Sequence, residues 1–224
     1  NHAHPPVRPR DDGAGNPDVL LRATNLVTPL YQYAALVVAE WDCRRRVLSR
    51  DGDTLLFMKL LTFSTPKELE PFLDSSLYQS FDAESLAAQQ SNLHCVLLDS
   101  DEPVARCSLW WTKTPAYESE KVGLIGHYAS QSGEAAKKLL EQACQQLIAK
   151  NCTMAIGPMD GSTWRRYRFV TENPRAAAPF LLEPTNAPDY PKQWLQAGFA
   201  PLAQYTSTLQ TSLESDPDVT KRLD

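Results

Sequence analysis

From Met58 onward the apolar positions recur in short, regular blocks. "KLLTF" reads as a strand, and Pro66 to about Phe81 reads as an amphipathic helix behind a Ser-Thr-Pro start. "HCVLLDSDEPVARCSLWW" sets two apolar runs around "DSDEP", the pattern of a hairpin. "KVGLIGHYAS" is a further strand. In "SQSGEAAKKLLEQACQQLIAKN", Ala136, Leu139, Leu140, Ala143, Cys144, Leu147 and Ile148 fall at helical spacing, and Lys150-Asn151 stops the helix. "CTMAIG" reads as a buried strand. A helix is expected to begin near Thr163 or Trp164, capped by Asp160 or Ser162. "PFLLE" is a candidate short strand. "YPKQWLQAGF" is a short helix with Pro191 in its first turn and Gly198 past its end. "PLAQYTSTL" then alternates like a strand. A hairpin combined with a βαβ crossover predicts an α/β fold, a mixed central sheet flanked by helices.

The pattern is weaker before Met58. Residues 1–57 contain seven Arg and no Lys, whereas 58–224 contain nine Lys and six Arg. The opening "NHAHPPVRPRDDGAGNPD" has the composition of a disordered segment. The division expected is therefore 1–57 as an N-terminal extension, not native or partly disordered, and 58–210 as the folded domain. A rival reading makes 1–57 a genuine helical arm, with an apolar helix over 31–41. The polar 211–224 reads as a linker, with a second domain as its possible sequel.

Composition narrows the function. A hydrophobic fraction of 42% and a charged fraction of 22% belong to a soluble globular chain. Net charge is -5, which argues against a nucleic-acid surface even though "WRRYRF" is basic and aromatic. No apolar run approaches the roughly 20 residues of a membrane span, and a cytoplasmic location is expected. The five cysteines form no CxxC pair and read as small buried hydrophobes. No metal site is expected. His94 and His127 lie in strands, where a satisfied core histidine is the ordinary outcome.

Two stretches can carry chemistry. In "GHYASQSGEAAKKLL" a strand runs through a small polar loop straight into a long helix. Unpaired amides and the positive end of the helix dipole then meet at one spot, suited to a phosphate or pyrophosphate. A plain strand-loop-helix joint would look the same. The other stretch, "GPMDGSTWRRYRFVTE", follows a strand with a Gly-Pro turn and then a basic-aromatic cluster. On the expected helix, Trp164, Tyr167 and Arg168 share one face, lining a ligand pocket or packing as an ordinary helix.

The order of elements from Met58 to Leu209 resembles the GNAT-type N-acetyltransferase superfamily. That family's pyrophosphate loop reads Arg or Gln, two residues, Gly, one residue, then Gly or Ala. The matching window here is Ser130-Gln131-Ser132-Gly133-Glu134-Ala135; Gly133 and Ala135 fit, and Ser130 departs. "WLQAGF" is similar to the family's "YEKLGF", with Trp194 where the family has its general-acid Tyr. "GPMDGSTW" and "EPTNAPDYP" resemble a poorly characterised bacterial branch of the family.

The resemblance implies an acyl-CoA-dependent N-acyltransferase, with acetyl-CoA as donor and a small-molecule or other amine acceptor. Its cofactor would lie across Tyr128, Ala129, Ser130, Gln131, Ser132, Gly133, Glu134, Ala135 and Ala136. Asp160, Trp164, Tyr167, Arg168, Glu183 and Asn186 are the candidate acceptor residues. Tyr190, one helical turn before Trp194, is the candidate proton donor to the leaving thiolate. The alternative is a non-catalytic GNAT-like module that binds a ligand or partner and supports a second domain.

Overall fold

The computed structural model of the chain describes residues 31–42, 58–79, 81–171 and 184–209; for 31–41 and 206–209 it describes the backbone course alone. The expected α/β architecture is present. Strands β1 (Tyr31–Asp42), β2 (Met58–Phe63), β3 (Leu93–Asp99), β4 (Glu102–Trp110), β5 (Val122–Ser130), β6 (Met154–Gly157), β7 (Phe169–Val170) and β8 (Ala200–Leu209) form one mixed sheet. Helices α1 (Ala83–Ala88), α2 (Gly133–Ala149) and α3 (Tyr190–Gln196) flank it. The path through the sheet is β2-β3-β4-β5-β6-β1-β7, with β8 paired to β1.

The β3–β4 hairpin closes through Ser100 and Asp101, whose φ values of 50 and 71 are those a tight mirror-image turn needs. Register then runs from Asp99↔Glu102 to Leu93↔Leu109. Alternation sorts the side chains. Cys95, Leu97, Cys107 and Leu109 join the cluster that α2 covers, while Val96 and Leu98 join Leu69, Leu77, Tyr78 and Leu86 on the other face.

Helix α2 forms where its apolar spacing predicts. Ser132 caps it by accepting the Ala135 N–H at 3.1 Å. At its other end Cys152 N–H donates to Leu147 O at 3.0 Å and Asn151 N–H to Ile148 O at 2.8 Å, with Asn151 left-handed at φ 61. That pair of bonds is a Schellman stop. The helix buries Ala135, Ala136, Leu139, Leu140, Ala143, Cys144 and Leu147, each leucine worth roughly 1.5–3 kcal/mol of transfer.

Three expected elements differ. The segment from Pro66 to Phe81 is not one helix: 3₁₀ turns span Pro66–Phe72 and Ser76–Tyr78. The start is as expected, with Glu68 Oε2 accepting from Thr65 N–H at 2.9 Å. Pro71 then removes a donor and crowds the preceding turn, so an α-helix cannot propagate. Residues 31–41, read as an apolar helix in the rival account, lie in strand β1. Their partners explain it: β8 pairs along β1 from Tyr31↔Leu209 to Glu40↔Ala200, and β6 pairs at Ala39–Asp42.

The helix expected from Thr163 is also absent; 161–168 is a turn and loop leading to β7. Asp160 N–H donates to Arg166 O at 2.8 Å and Arg165 N–H to Ser162 O at 3.2 Å, which closes a loop instead of starting a helical ladder. "PFLLE" lies outside the described residues.

Candidate functional site

β5 and β6 run parallel and pair only over Val122–Leu124 against Met154–Ile156. Beyond that the chain turns through a cis Gly157-Pro158 bond, and Met159 N–H donates to Ile125 O at 2.8 Å. Trp194 fills the space beside this turn. A Cβ on Gly157 would lie 2.3 Å from Trp194 Cη2 and 2.6 Å from Ile125 O, so only glycine admits the indole here. Trp194 is 1% exposed and its ring neighbours are Tyr128, Phe169 and Phe199 at 5.3, 5.4 and 4.6 Å. Its Nε1–H has no hydrogen-bond partner among the described residues, an omission that costs about 1–3 kcal/mol in a dry interior. Among the described residues, it is this aromatic group that lies beside the strand ends at the turn.

The cofactor candidates fall into a buried and an exposed half. Tyr128 is buried and donates its Oη–H to Gln193 Oε1 at 2.7 Å, with Gln193 Nε2 donating in turn to Asp189 Oδ2 at 2.8 Å. Burial pushes the Tyr128 phenol far above its ordinary value. Ala129 packs on the face opposite α2. Ser130 Oγ donates to Ser132 O at 2.8 Å, and Gln131 N–H to Val104 O at 2.9 Å. Ser132, Gly133 and Glu134 are exposed, while Ala135 and Ala136 are buried. Ser132 Oγ takes the Ala135 amide and Ser132 O takes that of Ala136. The Gly133 and Glu134 amides therefore head the helix with no acceptor among the described residues.

The acceptor candidates among the described residues each have a different setting. Asp160 is buried, accepting the His127 N–H on Oδ1 at 2.6 Å; burial raises its carboxyl above the ordinary range. Trp164 is 96% exposed, so it anchors no core. Tyr167 and Arg168 share no helix face with it. Arg168 stacks on Tyr167 at 4.8 Å and on Tyr205 at 5.8 Å, and its Nη1 donates to Tyr167 Oη. Asn186 serves the backbone: Oδ1 accepts from Val170 N–H at 2.8 Å, and Nδ2 donates to Val170 O and Ala187 O. Glu183 lies outside the described residues. Tyr190, half-buried in the first turn of α3, sets its ring 5.0 Å from Tyr128 and 6.2 Å from Phe169. Its ring partners are these aromatics of the core.

Sequence reasoning missed Arg106, Gln89 and the full role of His127. Arg106 is 5% exposed, stacked on Tyr78 at 4.7 Å and Phe81 at 4.3 Å. Its Nε–H donates to Leu77 O at 2.5 Å and its Nη1–H to His127 O. Burial lowers its guanidinium to about 10. The signal was available: Arg106 interrupts an apolar strand, and a charge at such a position must find partners. His127 has φ 48, next to a register shift between β4 and β5, which turns its N–H and C=O toward Asp160 and Arg106. Among the described residues no group of three or more His, Cys, Asp or Glu is placed to hold a metal. No described helix is long and apolar enough to cross a membrane.

No protein-family profile matches the chain, and no curated protein does. Among solved structures the chain is similar to a functionally unknown conserved protein from Staphylococcus epidermidis, at 11% identity and a TM-score of 0.46. That match covers 83% of this chain and 64% of the other, so the chain spans under two thirds of that protein's length. It is also similar to a GCN5-related N-acetyltransferase from Ralstonia eutropha, at 18% identity and a TM-score of 0.31, over 44% of this chain and 80% of that one. What the structure itself shows is the mixed sheet flanked by helices. At these scores the functional reading rests on the site itself.

Proposed function

We propose that the chain is an acyl-CoA-dependent N-acyltransferase, with acetyl-CoA as donor and an amine as acceptor. The observation that supports this is the head of α2. Seventeen residues of helix direct their dipole at exposed Gly133 and Glu134 amides, at the end of a buried strand, where an anionic phosphate is favoured. A Cβ at Gly133 would meet Gln196 Oε1 at 3.4 Å, so α3 borders the same spot with a polar group.

A bound thioester supplies an activated acyl carbon. The amine nitrogen bonds to it and gives up one proton to solvent, the C–S bond breaks, and the departing thiolate takes up one proton, so the step is proton-neutral overall. Tyr190 is the assigned donor of that proton. Holding donor and acceptor together provides the larger part of the rate.

A second reading, a non-catalytic ligand-binding module, is favoured by Trp194, which fills the space between β5 and β6, and by Asp160, which takes the His127 amide. Calorimetry with acetyl-CoA and coenzyme A, followed by a thiol-release assay over a panel of amines, separates the two. Binding with turnover supports the acyltransferase. Binding without turnover supports the module, and no binding to either ligand sinks the acyltransferase.

The decisive variant is Gly133→Pro. Gly133 is the first helical residue, where proline is tolerated, and Ser132 before it is already extended at φ -149, ψ 160, as a pre-proline residue must be. The variant therefore removes one N–H and leaves α2 intact. Affinity is expected to fall at least tenfold with an unchanged Tm; unchanged affinity places the phosphates elsewhere.

A further inference from the structure

Between β3, β4, β5 and the end of α1 lies a chain of buried polar groups that the proposed reaction does not use. Ser91 Oγ is 3.0 Å from His94 Nε2, and His94 Nδ1 is 2.8 Å from Ser108 Oγ. Ser108 Oγ is also 2.9 Å from His127 Nδ1, and His127 Nε2 is 2.8 Å from Gln89 Oε1. His94, Ser108 and His127 are buried, while Gln89 and Ser91 at the two ends are half-buried. Both ends sit on one short segment, so the four contacts form a loop through the sheet and back.

The protons can be counted. Both imidazoles are neutral: they are buried, and the Arg106 cation nearby disfavours a second positive charge. A neutral imidazole has one donor and one acceptor nitrogen, and a serine has one proton. Gln89 Oε1 can only accept, so His127 carries its proton on Nε2 and Nδ1 is bare. Ser108 must then donate to His127 Nδ1. Its oxygen can only accept from His94, which puts that proton on Nδ1. His94 Nε2 is therefore bare and receives the Ser91 hydroxyl proton. A single amide orientation at Gln89 dictates every proton position as far as Ser91.

We infer that Gln89 sets the direction of a concerted, two-state hydrogen-bond relay, holding His94 as the Nδ1–H tautomer and His127 as the Nε2–H tautomer. Reversing the last bond reverses all four. A group that draws the Gln89 carbonyl away from His127 thus changes what Ser91 presents at the far end, from a hydroxyl donating inward to one accepting from His94. The relay ties the α1–β3 segment to the bend of β5 at His127. Arg165 reinforces that tie by donating to Ala88 O and Gln89 O at 3.3 and 3.5 Å, as does Trp110 Nε1, which donates to Gln89 O at 3.0 Å.

Imidazole ¹⁵N spectra of the full chain near pH 7, correlated to the ring C–H protons, read both tautomers without any activity assay. The wild type is expected to show His94 protonated on Nδ1 and His127 on Nε2. In Gln89→Met no acceptor remains for His127 Nε2–H, so both histidines should interchange their protonated nitrogens together. In Ser108→Ala the link is cut: His127 keeps its Nε2 proton, held by Gln89, while His94 alone moves its proton to Nε2 to reach Ser91. The same tautomer on both rings of the wild type, the opposite pair, or a Gln89→Met change confined to His127 would each overturn the relay.

Discussion

Arg106 and Asp160, two buried charges of opposite sign, are joined through the peptide groups of one residue. His127 donates its N–H to Asp160 Oδ1 and accepts Arg106 Nη1–H on its carbonyl. The left-handed φ of 48 at His127 is what lets one residue serve both; strain of this kind, of order 1–3 kcal/mol, persists where the surroundings over-determine it. Arg106→Met leaves the Leu77 and His127 carbonyls without their donor and removes one of the cations facing Asp160, and is expected to cost about 3–5 kcal/mol. Asp160→Asn keeps the N–H acceptor and removes the countercharge, costing about 1–3 kcal/mol. Urea denaturation of both variants and their combination should show the double variant losing less than the sum. Strict additivity would mean the two charges do not sense each other.

Acid stability follows from the same neighbourhood. Burial, with the Arg106 charge second, lowers His94 to about 4 and His127 to about 2. The unfolded chain titrates these groups near 6.5 and so binds more protons than the fold below that pH. Stability must therefore fall as pH drops from about 6.5 toward 4, by roughly 3 kcal/mol per histidine at the lower end. Asp160, raised by burial, acts in the opposite sense, binding its proton earlier in the fold than in the unfolded chain. Denaturation midpoints measured from pH 7 to 4 check the slope, which His94→Gln should roughly halve.

Gly157 and Trp194 are a matched pair. Gly157→Ala places a Cβ 2.3 Å from the indole and 2.6 Å from the Ile125 carbonyl, an overpacking expected to cost about 1–3 kcal/mol. Trp194→Phe shortens the ring on that side. Combined, the two substitutions should destabilise by less than their sum, since phenylalanine relieves the indole clash and leaves the carbonyl one. Equal penalties for Gly157→Ala in both backgrounds would show that the backbone contact alone forbids a side chain.

Tyr190→Phe retains the edge-on packing against Tyr128 and Phe169 and removes the phenol proton. If Tyr190 donates to the leaving thiolate, kcat should fall about a hundredfold with Tm unchanged. Wild-type turnover across the pH range would make the residue purely structural.

Removing residues 1–57 takes away β1, the strand to which β6, β7 and β8 pair. The hairpin, β5 and α2 remain, so 58–224 is expected to fold with a lower Tm and with faster amide exchange in β6 and β8 than in β3–β5. Insolubility would show that the sheet cannot close without β1.

What the sequence made legible was what local pattern governs. The period of α2, the turn at Ser100-Asp101 and the short helix ending before Gly198 each follow from neighbouring residues. The expected helix after Asp160 did not form: of its two candidate caps, Asp160 is claimed by His127, thirty-three positions away, and Ser162 lies in the loop closed by Arg165 and Arg166, bonds that spacing cannot show. The strand at 31–42 was missed for a similar reason, since its apolar run suits either state and only its partners decide. At the site, the Ser132–Ala135 cap was visible, whereas the partners of Asn186 and Asp160 depended on tertiary contacts. Arg106 was the one signal left unread.

The sheet contains both extremes of chain separation. Asp99 meets Glu102 across a two-residue turn, whereas Tyr31 meets Leu209 from nearly the other end of the described chain. A hairpin of the first kind closes in about 1–10 μs; the second must wait until the intervening polypeptide has been ordered. Assembly should therefore zip outward from β3–β4 through β5 and α2, with β1 and β8 arriving last. Until they do, the β6 edge stands open, and that interval is when a newly made chain is most prone to pair with another copy of itself.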